Sequence, residues 1–187
     1  MSFIKKFSPG RSAAALLFVA VLSVSAFADG PKQTAVHREV ADQLADFKST
    51  AYALRAEADT LDAPGTKRLS WQSHTYHLKN IANHVNELGR TLAELEAMKP
   101  VASEGQVVAI EQARAHLSEV AEHTTRAFDL IKENRGSIRL TDYSETVSDL
   151  QEHAEALHTK LDTILDFENA RMRLESLDME SRLTEGS

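Results

Sequence analysis

Apolar residues recur at alternating spacings of three and four through four long stretches of this chain, a pattern that helices packed at shallow angles satisfy and strands do not. The first run is Val40, Leu44, Phe47, Ala51, Leu54, Ala58 and Leu61, and the second is Trp71, His74, Leu78, Ile81, Val85, Leu88, Leu92 and Leu95. The third is Ile110, Ala113, Leu117, Val120, Thr124, Ala127 and Ile131, and the fourth is Tyr143, Val147, Leu150, Ala154, Leu157, Leu161 and Ile164. Breakers separate them at Gly30-Pro31, Pro64-Gly65, Pro100 with Gly105, and Gly136. No stretch has the period-two alternation of a sheet. The expected architecture is all-α: an antiparallel up-down-up-down four-helix bundle, its helices at about 34–62, 67–98, 104–134 and 141–180, forming one domain over about 29–187.

Local signals agree with those limits. Ser103-Glu104-Gly105-Gln106 has capping-box spacing and opens the third helix, while Gly136 after Asn134-Arg135 suits its end. Thr141, with Asp142 and Glu145 behind it, opens the fourth. Folding the helices about their loops brings Trp71 level with Ala58, a large residue against a small one, and makes Trp71 a core anchor.

The first 28 residues stand apart. Lys5, Lys6 and Arg11 precede an apolar run from Ala13 to Ala26, and Ala26-Phe27-Ala28 forms an A-x-A cleavage site, the layout of a secretory signal peptide. The run is short for a bilayer crossing and no second one follows, so the expected mature protein has no membrane span. Its expected compartment is periplasmic or secreted. The chain has no cysteine, which excludes a disulfide, a lipid-bearing N-terminal cysteine and thioether-linked haem. Of 21 basic residues three lie in the leader, which holds none of the 28 acidic ones, so the mature chain is near −10. Such a balance repels nucleic acid and anionic lipid.

Two octets, His77-Leu-Lys-Asn-Ile-Ala-Asn-His84 and His116-Leu-Ser-Glu-Val-Ala-Glu-His123, share residues at matching offsets. Against the seam, His77, His84, His116, His123 and His153 all take the position just beside the core, where a half-buried polar residue with an apolar body packs against a neighbouring helix. If the second and third helices meet through that flank, His77, His123, His84 and His116 follow one another along the interface; with the opposite bundle hand, His123 lies level with His153. Either way histidines from different helices come within reach, an arrangement suited to zinc, copper or nickel. Two residues of one octet cannot share an ion, being about 10.5 Å apart along the helix. The nearest acids, Glu87, Glu119 and Glu122, are expected to point away.

Other cofactors find less support. Glu155-Ala-Leu-His158 has the spacing of a di-iron ligand pair, but no second such motif exists. For b-type haem, His74 on the seam is the best axial candidate, with Met98 and Met172 as partners; the simpler role for His74 is a core histidine bonded to a neighbour such as Asp129. Nucleophile elbows, glycine-rich phosphate loops and H-E-x-x-H are all missing, and paired carboxylates such as Asp42 and Asp46 face outward, so no enzyme is expected.

The fourth helix outruns its neighbours. Leu174, Leu177 and Met179 then need a protein partner or a second copy of the chain. The expected function is that of an exported, non-enzymatic binding or interaction module, with histidine-mediated transition-metal binding as the alternative and haem binding third. With eight histidines, mild acid is also expected to move the net charge from about −10 toward −2 and to loosen the bundle or drive its association.

Overall fold

The computed structural model describes residues 30–66, 69–133 and 141–185. The leader at 1–28 and the Asn134-Arg135-Gly136 stop signal lie outside the described residues. Four helices account for nearly all of the rest: α1 (Gly30–Asp62), α2 (Trp71–Met98), α3 (Glu104–Glu133) and α4 (Thr141–Glu185), with a 3-10 turn at Lys99–Val101 between α2 and α3. Among the described residues there is no strand, and no helix is long and apolar enough to cross a membrane.

The four helices pack against each other around one core. On α1 every seam residue from Val40 to Leu61 is buried, and Leu78, Ile81, Leu88 and Leu95 of α2 meet them. Ala51 and Ala58 of α1, Ala109, Ala113 and Ala127 of α3, and Ala154 of α4 alternate with the larger Phe47, Leu54, Ile110 and Leu157, so that small and large side chains interdigitate to fill the volume. Three seam residues depart from full burial: Trp71, Val85 and Ile164 pack on the core from its edge. Trp71 is the first residue of α2, with only one turn of helix to hold it over the core, so it covers a rim and does not anchor the centre.

The helix starts are built by side chains that satisfy otherwise orphaned backbone N–H groups. Ser70, in extended backbone, caps α2 by accepting from Ser73 N at 3.4 Å, so the helix begins at Trp71 and not at the expected 67. At α3 the capping box closes in both directions, Ser103 Oγ accepting from Gln106 N (3.2 Å) and Gln106 Oε1 accepting from Ser103 N (2.9 Å). Gln106 then spends its Nε2 on the carbonyl of His37 in α1, at 2.9 Å. Across α1 and α4, Lys48 meets Asp162, Arg55 meets Glu155, and Gln151 donates to Asp59.

Glu168 of α4 lies buried over the start of α3, where a carboxylate is favoured by the helix dipole. It accepts from Ser103 Oγ at 3.1 Å and pairs with Arg171 at 3.2 Å. A Cβ at Gly105 would collide with that carboxyl group. Gly105→Ala is therefore expected to cost about 1–3 kcal/mol despite alanine's better helix propensity. Gly89→Ala in α2, where a Cβ meets nothing, is expected to stabilise by up to about 1 kcal/mol. Urea titration of the two variants checks both signs.

Candidate metal centre

The histidine flank of α2 turns toward α1, and that of α3 toward α4. His77 Nδ1 sits 2.7 Å from Glu57 Oε1 of α1, and Asn80 Nδ2 donates to the same oxygen at 3.0 Å. His84 is half-buried on that flank. The row His77, His123, His84, His116 is accordingly not assembled. His123 stacks instead on His153 of α4.

Between α3 and α4 the imidazoles form a short stack. The His123 and His153 rings lie 5.4 Å apart, 17° from parallel, and the His116 and His153 rings lie 6.0 Å apart at 42°. His153 thus stands between two histidines that are two turns apart on α3. Glu119 joins them: ligand atoms of Glu119, His123 and His153 all lie within 4.8 Å of one another. Contrary to the expectation that it points away, Glu119 shares the flank, because it is three residues after His116 and four before His123 and such spacings stack side chains on one face. That signal was present in the sequence.

The same centre contains a side chain that the pattern did not single out. His123 Nδ1 is buried without a hydrogen-bond partner and lies 4.0 Å from Asp149 Oδ2, a short rotation from contact. Asp149 faces that nitrogen from beyond hydrogen-bond distance. Burial holds the His116 imidazole below its ordinary pKa, His153 and Lys160 add to the effect, and Glu119 opposes it. Neutral imidazole is the form that ligates a metal. In a tetrahedral zinc site ligand atoms lie about 3.4 Å apart, so the set, whose atoms lie within 4.8 Å of one another, would have to draw together to hold an ion.

His74 serves the fold. It is buried, its Nε2 donates to the Thr66 carbonyl at 2.9 Å, and its Nδ1 accepts from the Tyr143 hydroxyl at 3.0 Å. Its partners are these and not Asp129, which is exposed. Both ring nitrogens are committed, leaving none for haem iron, and Met172 sits far along α4 from Tyr143, about 43 Å by helical rise. Glu155 and His158 are likewise engaged, with Arg55 and with the Tyr52 ring.

Burial pulls the His74 pKa below the ordinary imidazole value; the hydrogen bond to Thr66 works against this and His77 adds to it. The unfolded chain therefore binds the proton more readily than the folded one. Stability is fully present above the unfolded value of about 6.5 and is lost as pH falls below it, until the folded-state value is passed. The urea midpoint is expected to be lower at pH 5.5 than at 7.5, and His74→Gln is expected to flatten that dependence while lowering stability at both.

No family model, curated protein or solved structure matches this chain.

Proposed function

We propose that the protein is an exported, non-enzymatic helical bundle that binds a transition-metal ion, zinc, copper or nickel, between α3 and α4. Glu119, His123 and His153 supply the ligands and Asp149 orients His123. The observation that carries this reading is that one exposed carboxylate and two half-buried imidazoles, from two helices, bring their ligand atoms within 4.8 Å of one another. Two imidazoles and a carboxylate are borderline donors suited to these ions. Three protein ligands leave a coordination position for water or for a donor on another molecule, as befits a protein that takes up and releases its ion.

The up-down-up-down path is supported by the order of side-chain contacts: from Lys48 to Arg55 to Asp59 the numbers rise along α1, while their partners Asp162, Glu155 and Gln151 fall along α4. Export is supported by the basic start, apolar run and A-x-A site of the leader. Binding in preference to catalysis is supported by the missing nucleophile and phosphate-loop motifs.

Isothermal titration of zinc into the purified protein tests the reading. Saturable binding with a dissociation constant below about 10 μM is expected, corresponding to roughly 7 kcal/mol or more. It should disappear in His123→Ala and His153→Ala and persist in His77→Ala and His84→Ala. No saturable binding, or binding indifferent to His153, overturns it.

A further inference from the structure

The seam of α4 changes course near its end. Past Leu161 and Ile164 the core positions are taken by Glu168 and Arg171, and at the same spacing the sequence continues with Glu175, Asp178 and Arg182. Apolar residues return one place earlier at every step: Phe167, Ala170, Leu174 and Leu177. A shift of one residue is a rotation of about 100° around the helix, so this is a second seam, turned away from the first. Phe167, Leu174 and Leu177 are 66%, 68% and 60% exposed. They stand two and three heptads beyond His153, with Leu177 one step further, on the flank that faces α3 lower down. By this point α3 has run out, for its first turn already lies against Glu168. Met179 lies outside the residues whose side chains are described.

We propose that this second seam is covered by the same seam of a second copy, laid antiparallel. The charges along it choose the occupant. With Leu174 of one copy against Leu177 of the other, on either side of a two-fold axis between residues 175 and 176, Arg171, paired with Glu168 in its own chain, faces Asp178 of the second copy, itself paired with Arg182, so that the contact joins existing ion pairs along one edge. The two-fold repeats the opposite-charge pair, an isologous contact that closes on itself. Sliding the register by one heptad step to set Phe167 against Leu177 brings Arg171 against Arg171 of the second copy along one edge and Arg173 against Arg173 along the other, which is repulsive. A parallel pair is blocked, because the second copy's helix would have to continue down the flank that α3 occupies. The contact depends on neither Glu119 nor the histidines and stands apart from the metal reading.

The chain has no cysteine, which allows the geometry to be read by engineered disulfides. Light scattering coupled to gel filtration of the purified chain is expected to give a mass rising from one chain toward two between about 1 and 100 μM, as mass action requires. Leu174→Asp with Leu177→Asp is expected to hold the protein monomeric throughout that range with unchanged helical circular dichroism, since neither residue touches the core. Under oxidation, Leu174→Cys combined with Leu177→Cys is expected to cross-link two chains, and Leu174→Cys alone is not. A monomer at 100 μM, or a dimer that survives the double aspartate substitution, overturns the proposal. So does a seam that captures a different protein while the chain itself stays monomeric. Cross-linking by Leu174→Cys alone overturns the antiparallel arrangement.

Discussion

Replacing His153 with alanine is expected to remove metal-dependent stabilisation of the bundle. His153 is the only member of the proposed ligand set that α4 contributes, so its loss leaves Glu119 and His123 on one helix with no ligand from α4. Metal that binds only the folded state stabilises by mass action, about 2.7 kcal/mol at a concentration a hundred times the dissociation constant. For a domain of this size that is a rise of roughly 5–10 °C in melting temperature. Losing an outer-sphere partner alone typically weakens metal affinity about 10- to 100-fold. Loss of a ligand itself should do at least as much, and the rise should vanish at the same metal concentration. Asp149→Asn supplies the intermediate case, in which the ligands remain but His123 is no longer oriented by a charge. Differential scanning calorimetry with and without zinc separates the three outcomes. A rise in His153→Ala equal to that of the unsubstituted protein would show that the ion sits elsewhere.

Phe47→Ala is expected to be the most destabilising single truncation in the core, at about 3–5 kcal/mol. Phe47 is among the largest fully buried side chains, at the middle of α1, the helix packed against both α2 and α4. Its neighbours on the seam, Ala51 and Leu44, are themselves fully buried and cannot swing in to fill the space. Since single domains are stable by only about 5–15 kcal/mol, the variant should lose a large part of its stability. Trp71→Ala, although it removes a larger side chain, is expected to cost less. Half-buried at the first turn of α2, it leaves a hollow that opens toward solvent and is not a sealed cavity. Denaturant titration of the two variants orders them, and a Trp71 loss equal to that of Phe47 would contradict its rim position.

What periodicity by itself determined was which residues are apolar neighbours along each helix, where the chain breaks, and how the helices begin. These are local properties: a spacing of three and four defines a stripe whatever it packs against, and the Ser103–Gln106 capping box closes within one turn. The same periodicity placed five histidines beside the seam, as a half-buried flank. It did not determine the neighbour that flank meets, because the two bundle hands have one and the same pattern of spacings. Only the tertiary structure decided that His77 turns to Glu57 while His123 stacks on His153. Distance in sequence hid the remaining contacts. The Thr66 carbonyl and the Tyr143 hydroxyl reach His74 from a loop and from the start of α4, and Glu168 caps a helix that begins 64 residues before it. Glu119 was within reach of local reasoning, since its offsets from His116 and His123 set it on their face. Asp149 was not, because its place beside His123 follows from how α3 and α4 come together, and that is decided by the packing of all four helices at once.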